Sequence, residues 1–224
     1  MLVKNWMSKP VITIEEEDSM HEAVKRLRDH NIRMLPVMKK GKVVGIVTDR
    51  DLKRASASDA TTLDVHELIY LTSKIKLKHL MTKYVITVPY DYTVEEAAEV
   101  LFENKISGVP VLDHDKKLIG IITQMDLFRV FIALTGIGKR GIQFAFQLED
   151  RPGSIKEVAD VIRKFGARMA SILTTYENVP EGYRNAYIRI YQMDREKLPD
   201  LQKELREKAI MLYMVDHREN RREI

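Results

Sequence analysis

An internal repeat constrains the fold of this chain more than any other feature of its sequence. Residues 4–37, KNWMSKPVITIEEEDSMHEAVKRLRDHNIRMLPV, return as residues 78–111, KHLMTKYVITVPYDYTVEEAAEVLFENKISGVPV. After a turn, KVVGIVTDRDL at 42–52 returns as KLIGIITQMDL at 117–127. About four in ten aligned positions are identical, far above chance for unrelated segments, so we expect two copies of one structural unit.

Both copies carry the same local signals for secondary structure. Each opens with a short β-branched run, continues with a capping box and an apolar stripe at helical spacing, and closes with two strands and a short helix. A βαββα unit of this size cannot bury both faces of its sheet alone, so we expect the copies to pack as a pseudo-twofold pair with a cleft between them. The predicted strands are 11–14, 34–38 and 43–47 in the first copy and 85–88, 109–112 and 118–122 in the second, and the capping boxes are Ser19 with Glu22 and Thr93 with Glu96.

The remainder of the chain has a different pattern. After a helix that ends at Leu134 comes TGIGKRG, a stretch typical of a linker, and then a βαββαβ order, which is that of ferredoxin-like domains. The fold class is therefore α/β, with an α+β domain at the C-terminus. The predicted elements of that domain are 141–148, 155–162, 169–176, 187–191, 196–208 and 210–215. The predicted boundaries are 1–61 and 62–134 for the repeats, 135–140 for the linker, 141–216 for the last domain and 217–224 for a charged tail, with a loop at 55–62 and a helix at 64–71 between the repeats.

Charge and composition exclude several classes of protein. Lys and Arg number 37 and Asp and Glu 33, interleaved along the helices, so the net charge of +4 indicates a mixed-charge surface rather than the basic stripe of nucleic-acid-binding proteins. The absence of cysteine excludes disulfides, thiolate metal sites and cysteine nucleophiles, and is typical of a reducing cytosol. The first residues, MLVKNWMSKPVITIEEE, contain no apolar signal segment. We therefore expect a cytoplasmic protein without a membrane partner.

The most specific chemistry lies in GIVTDRDL and its echo GIITQMDL. In each, a strand ends at a threonine and a helix begins, with an aspartate three residues later: Thr48 with Asp51, and Thr123 with Asp126. An ionised carboxylate accepts hydrogen bonds from both hydroxyls of a vicinal diol, so these pairs suit a ribose. Thr-x-x-Asp before a helix is also a variant capping box, and the residues alone leave both interpretations open.

Two arginines favour a phosphorylated ligand at the first motif. Arg50 lies inside the motif and Arg33 just before the central strand, so an anion above the helix N-terminus is expected to meet two guanidiniums. The second copy lacks both arginines, and its nearest cations are Lys105 and Arg129. The alternative for each arginine is a solvated surface position.

The repeat, the prolines Pro36 and Pro110 at the strand starts, and the paired G-h-h-T-x-x-D-h endings resemble a tandem of cystathionine β-synthase (CBS) domains over residues 1–134. Such tandems bind adenosine ligands (AMP, ADP, ATP or S-adenosylmethionine) in the cleft between repeats, so the resemblance implies a regulatory nucleotide rather than a catalytic cofactor. It places the ribose contacts on Thr48, Asp51, Thr123 and Asp126, and adenine contacts on or near Thr13, Ile32, Leu35, Thr87, Ile106 and Val109.

The segment EDRPGSIKEVADVI resembles the first loop and helix of an ACT domain, a ferredoxin-like unit that commonly binds amino acids at a subunit interface. The resemblance places Asp150, Pro152 and Gly153 in the ligand loop, where free N–H groups at a helix start would hold a carboxylate. Asp-x-Pro-Gly is also ordinary turn chemistry. The family often has Asn after the helix-ending Gly-x, whereas here Ala167 leads to Arg168 and Met169, and this departure favours a homodimer over amino-acid binding.

The order CBS, CBS, ACT, with TDRDLKRAS after the first repeat and LFRVFIALTG after the second, resembles the acetoin-utilisation protein B family of bacteria. This resemblance spans nearly the whole chain. It implies a regulatory link to acetoin or butanediol catabolism through a regulated protein that the sequence does not identify.

Motifs for catalysis or metal binding are missing from the sequence. Residues 136–141 spell G-x-G-x-x-G, but a helix precedes them and a strand follows, the reverse of a dinucleotide site. The six histidines show neither HExxH nor clustered ligand spacing, and no nucleophile has a base beside it. We therefore predict a non-catalytic sensor without a metal. A nucleic-acid-binding regulator and an enzyme of acetoin breakdown are the alternatives.

Overall fold

The computed structural model describes residues 1–55 and 65–224, which form two compact units, Met1–Phe128 and Arg129–Ile224. The first unit contains both sequence repeats and the second contains the C-terminal domain. The division lies inside a helix, a few residues before the predicted boundary after Leu134. The predicted loop at 55–62 falls, except for Ala55, outside the described residues.

Both repeats have the predicted βαββα order. In each, a two-residue first strand runs parallel to the first strand of an antiparallel hairpin, and the three strands form one sheet. The first strands are shorter than predicted because only two residues of each pair with the hairpin. The first repeat comprises β1 (Ile14–Glu15), α1 (Met20–Asp29), β2 (Met34–Lys39), β3 (Lys42–Thr48) and α2 (Asp49–Ala55), and α3 (Val65–Lys74) follows it. The second comprises β4 (Val88–Pro89), α4 (Val94–Glu103), β5 (Gly108–Leu112), β6 (Leu118–Thr123) and α5 (Gln124–Leu134).

Helices α1 and α4 begin at the predicted capping residues. Ser19 Oγ accepts a hydrogen bond from the Glu22 N–H at 3.2 Å. Thr93 and Glu96 form the full reciprocal box: the Glu96 carboxylate accepts from the Thr93 N–H at 2.7 Å, and Thr93 Oγ1 accepts from the Glu96 N–H at 3.2 Å. The hydrogen bonds that the Thr93 backbone and hydroxyl donate hold the pKa of Glu96 below its usual value. Both predicted capping residues are confirmed, and the reciprocal box is observed at Thr93 and Glu96, whereas the Glu22 carboxylate pairs with Arg26.

The two repeats exchange their lead-in segments, residues 2–8 and 76–82. Leu77 belongs by sequence to the second repeat but is fully buried in the core of the first. Val3 and Met7, which belong by sequence to the first repeat, are buried in the core of the second. Each hydrophobic core is therefore completed by chain from the other repeat. Backbone bridges join Ile46 to Thr82 and Ser8 to Ile121.

This exchange explains the glycine that opens each G-h-h-T-x-x-D motif. A Cβ added at Gly45 would overlap the Sδ of Met81, and one added at Gly120 would overlap the Sδ of Met7. The two methionines occupy equivalent places in the repeat. A glycine of one repeat and a methionine of the other lead-in segment thus pack as a pair.

The second unit has the predicted βαββαβ order with a fifth strand added. Its strands form one antiparallel sheet in the order β11-β10-β7-β9-β8, with two helices. The elements are β7 (Ile142–Glu149), α6 (Ser154–Lys164), β8 (Arg168–Thr175), β9 (Tyr183–Tyr191), α7 (Leu198–Lys208), β10 (Ile210–Asp216) and β11 (Arg221–Glu223).

Strand β11 lies within the segment that the sequence predicts as a charged tail, 217–224. The Asp216 carboxylate accepts hydrogen bonds from the N–H groups of Arg218 and Glu219, at 2.9 and 3.3 Å, and the chain turns back to pair with β10. An edge strand of charged residues has no apolar alternation, which is why periodicity did not reveal it.

The core of the second unit lies between the sheet and its helices. Alternate residues of β7 are buried there, and the rings of Phe144 and Phe146 stack with centroids 5.9 Å apart. Thr135, from the predicted linker, is bound to the sheet: its carbonyl oxygen accepts from Arg189 Nε at 2.7 Å and from Ser171 Oγ at 2.9 Å. Arg189 is buried, and this burial lowers the pKa of its guanidinium. In the ranges the structure describes, no helix has both the length and the apolar character needed to span a bilayer.

Candidate functional site

Two cavities in the described part of the first unit are each built from both repeats. The first cavity, of about 390 Å³, lies where β3 meets α2 and is closed by the segment before β4 and the loop before β5. The second cavity, of about 570 Å³, lies where β6 meets α5 and is closed by the segment before β1 and the loop before β2. Met34, Ser107 and Gln124 line both. The two cavities are therefore neighbours built from equivalent parts of the repeat.

At the first cavity, Thr48 and Asp51 cap α2 and leave one carboxylate oxygen unused. Asp51 Oδ2 accepts hydrogen bonds from the Thr48 N–H at 2.9 Å and from the Thr48 hydroxyl at 2.6 Å, while Thr48 Oγ1 accepts from the Asp51 N–H at 3.3 Å. Within the described ranges, no donor reaches Asp51 Oδ1. Both residues line the cavity, so a helix cap and a free acceptor coexist in one side chain.

At the second cavity, the equivalent carboxylate has partners on both oxygens. Asp126 Oδ2 accepts from the Thr123 N–H at 3.0 Å and from the Thr123 hydroxyl at 2.6 Å. Asp126 Oδ1 accepts from the Ser8 hydroxyl, which the exchanged lead-in segment supplies, at 3.3 Å. Asp126 is 3% exposed, whereas Asp51 is partly exposed. A ligand hydroxyl would have to compete with Ser8 at the second cavity, and has no such competitor at the first.

The cavities also differ in charge. Three cations, Arg50, Arg54 and Lys105, line the first cavity together with Asp49 and Asp51. Of the described residues that line the second, Arg33 is the one cation, and most of the others are apolar. Clustered guanidinium and ammonium groups are the side chains that bind phosphate. The apolar residues of the second cavity are Pro10, Val11, Ile12, Ile32, Met34, Ile121, Met125 and Phe128.

The expectation that Arg33 and Arg50 meet the same ligand is wrong. Arg50 lines the first cavity and Arg33 the second. The loop before each hairpin faces the Thr-x-x-Asp motif of the other repeat, so neighbours in one copy of the sequence separate in space. For the same reason Lys105, placed by sequence beside the second motif, lines the first cavity.

The residues expected near adenine fall in different places. Ile106 lines the first cavity and Ile32 the second. Leu35 and Val109 are fully buried in the cores of their own repeats and line neither cavity. Thr13 and Thr87 also line neither cavity.

Arg54 and Tyr84 are among the residues of the first cavity that sequence reasoning missed. Arg54 follows Arg50 by four residues on α2, a spacing that puts both guanidiniums on one face and was visible in the sequence. Tyr84 lies after the exchanged lead-in segment and is 95% exposed. Its place in the first cavity depends on the exchange, for which no local signal exists.

In the second unit, the predicted amino-acid loop has its carboxylate already engaged. Gly153, with a φ of 91°, precedes the first residue of α6, as the Pro152-Gly153 turn predicts. Asp150 Oδ1 accepts from the Tyr176 hydroxyl at 3.2 Å and lies 3.7 Å from Arg184 Nε. In the described part of the chain, no three His, Asp or Glu side chains cluster as metal ligands would.

Two βαββα repeats, with a cavity at each Thr-x-x-Asp motif, define a tandem module whose halves complete one another. The chain belongs to the CBS domain family, whose family model matches residues 3–58 and 77–133.

Two proteins of Methanocaldococcus jannaschii are similar to part of this chain and differ in how much of their own length is matched. L-aspartate semialdehyde sulfurtransferase is 37% identical over 131 residues, which are 58% of this chain and 23% of the relative, so the chain spans less than a quarter of that protein. The uncharacterized protein MJ1426 is 30% identical over 155 residues, covering 59% of this chain and 92% of the relative.

Solved structures of CBS pairs match as well. The CBS-pair protein CBSX2 from Arabidopsis thaliana is 30% identical with a TM-score of 0.51, and the match covers 58% of this chain and 94% of CBSX2. The CBS domain pair of protein MJ0100 was crystallised with 5′-methylthioadenosine and S-adenosyl-L-methionine. It is 36% identical with a TM-score of 0.49, over 58% of this chain and 95% of that pair.

Proposed function

We propose that the chain is a non-catalytic sensor whose first cavity binds an adenosine phosphate. The observation that carries the proposal is the carboxylate oxygen Asp51 Oδ1, which no described donor reaches, in a cavity lined by three cations. An ionised carboxylate accepts from ribose hydroxyls, and clustered cations bind phosphate. Both halves of a nucleoside phosphate therefore meet a complementary group in one cavity.

The base has a surface to stack on. Tyr84 exposes its ring at the cavity, and Ile86 and Ile106 line it with apolar side chains. Stacking of a planar base on an aromatic or aliphatic surface is favourable. Such stacking holds the base without specific hydrogen bonds to its edges. Arg50 and Arg54 on α2 and Lys105 from the other repeat remain for the phosphate groups.

The charge of the first cavity also selects among adenosine ligands. AMP, ADP and ATP carry negative charge that Arg50, Arg54 and Lys105 would neutralise, whereas S-adenosylmethionine brings a sulfonium cation. The second cavity has Arg33 as its described cation and a mostly apolar lining, so it suits a ligand without phosphate groups. S-adenosylmethionine is therefore the alternative ligand, and it would bind in the second cavity.

The whole chain is proposed to regulate acetoin or butanediol catabolism through a partner protein. Its second unit is proposed to be an ACT-type dimerisation domain. The βαββαβ order and the terminal position of β8 in the sheet support the dimer, because an unpaired edge favours pairing with a second copy. An amino acid at Asp150 would have to displace Tyr176 or Arg184. Sedimentation of the pure protein tests the dimer, and a monomer at micromolar concentration would contradict it.

Asp51→Asn is expected to weaken the binding of AMP about 10-fold to 100-fold, the cost of a hydrogen bond to a charged group. The carboxylate offers two acceptor oxygens, one for the Thr48 cap and one for the ribose, whereas an amide offers one. Calorimetric titration of wild type and variant with AMP, ADP, ATP and S-adenosylmethionine measures the change.

Asp126→Asn is the matched control, because it makes the same change at the second cavity, where Ser8 already occupies the second oxygen. It should change AMP affinity less than Asp51→Asn does. Equal affinities of wild type and Asp51→Asn, in folded protein, would show that Asp51 serves only as a helix cap. Consumption of acetoin by the pure protein with common cofactors would show an enzyme instead.

A further inference from the structure

A cavity of about 290 Å³ in the second unit is lined by four cations: Lys139, Arg140, Arg195 and Arg218. It lies where β7 begins and β9 ends, far along the strand from the Asp150 loop, which follows the other end of β7. Among the described lining residues there is no aspartate or glutamate. A concave site of one sign of charge focuses the field on anions.

Three of these four cations have no acidic partner among the residues that the structure describes. Arg195 pairs with Asp216, which is 1% exposed and also accepts the N–H groups of Arg218 and Glu219. No ion pair joins Lys139, Arg140 or the Arg218 side chain to an acid in the described part of the chain. The site therefore keeps a local charge of about +3 after its one neutralised arginine is set aside.

The loop that carries two of the cations is held in place by the sheet. Gly141 presses against the Ile190 carbonyl so closely that no side chain fits between them. The Lys139 ammonium lies 5.5 Å from the centroid of the Tyr191 ring, a cation–π distance. Arg140 has a left-handed φ of 45°, which ends the short helical turn before β7. The backbone that carries Lys139 and Arg140 is therefore fixed before any ligand arrives, which lowers the entropic cost of binding.

We propose that this cavity binds a small polyanion with clustered charge, of which an organic diphosphate or inorganic pyrophosphate is the simplest form. Guanidinium groups suit phosphate oxygens because they donate in pairs. The volume holds a diphosphate group, and a confined cavity on one end of a sheet differs from the extended basic stripe that nucleic acids need. The site is independent of the nucleotide proposed for the first unit.

The test is calorimetric titration with inorganic pyrophosphate in magnesium-free buffer at fixed ionic strength. The variant carries Arg140→Gln and Arg218→Gln, both at exposed side chains that make no structural hydrogen bond among the described residues. Loss of two charge-assisted contacts is expected to weaken pyrophosphate binding about 100-fold. The matched control carries Lys25→Gln and Arg28→Gln, two exposed cations of α1 outside the cavities described above, and should keep the affinity of this site within about twofold.

Each other outcome overturns the proposal. If pyrophosphate does not bind the wild type, or binds the Arg140/Arg218 variant with the affinity of the wild type, this cavity is not a pyrophosphate site. Loss in both double variants indicates charge attraction without a site. A single-stranded oligonucleotide that binds through Arg140 and Arg218 where pyrophosphate does not would show a nucleic-acid partner. Asp51→Asn tests the first cavity separately, so the two proposals fail independently.

Discussion

Replacing Gly141 by alanine is expected to lower the free energy of unfolding of the second unit by about 3 kcal/mol. The added Cβ would overlap the carbonyl of Ile190 and lie 3.3 Å from the Cα of Tyr191. These are backbone atoms of β9, which pairs with β7 from Ile142 onward. A backbone neighbour cannot rotate away as a side chain can, so the β7–β9 ladder must open where it begins.

Urea unfolding followed by circular dichroism measures this loss. The single tryptophan, Trp6, packs against a core of the first unit, so its fluorescence reports that unit separately. Gly141→Ala should move the dichroism transition of the second unit and leave the fluorescence midpoint in place. Gly138→Ala is the matched control, because a Cβ there meets no atom within 4 Å. Equal midpoints for the two alanine variants would contradict the overlap with Ile190.

Most secondary structure could be predicted from the sequence because its signals are local. The capping residues Ser19 and Thr93 set helix starts by accepting hydrogen bonds from the N–H groups three positions on, and the structure contains both bonds. The alternation in GIQFAFQL likewise predicts β7 and its buried face. The charged strand β11 has no such signal, because only its pairing with β10 makes it a strand.

The grouping of site residues could not be predicted in the same way. Arg33 and Arg50 are close in sequence and in one repeat, yet line different cavities. The lead-in segments cross between repeats, because Leu77 packs in the core of the first repeat and Val3 and Met7 pack in the core of the second. These are long-range contacts without a local signal in the sequence. A repeat in the sequence predicts that two cavities are equivalent in construction, but it does not tell which copy supplies each wall.

The two interpretations of Thr-x-x-Asp are compatible in the structure. Asp51 Oδ2 accepts the hydrogen bonds of the helix cap, and Oδ1 accepts none from the described residues. The cap therefore orients the oxygen that the ribose would use. The same motif at Asp126 has lost this spare acceptor to Ser8. Identical motifs therefore differ in capacity because the exchanged segments differ in what they bring to each cavity.

Leu77→Ala is expected to lower the free energy of unfolding of the first unit by about 3 kcal/mol, typical of a fully buried leucine. Leu77 belongs to the second repeat by sequence but packs in the core of the first repeat. The loss of stability therefore measures how much the exchanged lead-in segment contributes to that core. Trp6 fluorescence during urea unfolding reports it. Leu71→Ala on α3 removes the same atoms from a side chain that is 48% exposed, and should cost less than about 0.5 kcal/mol.

The same substitution links stability to the proposed ligand. Leu77 anchors the lead-in segment that runs on through Thr82 and Tyr84 into the wall of the first cavity. A loosened wall must be ordered again when AMP binds, so Leu77→Ala should also weaken AMP binding, whereas Leu71→Ala should not. If Leu77→Ala destabilised the protein no more than Leu71→Ala, the repeats would not depend on exchanged segments. A loss of stability with unchanged AMP affinity would instead place the ligand away from Tyr84, because a ligand that touches that wall has to sense the loss of its anchor.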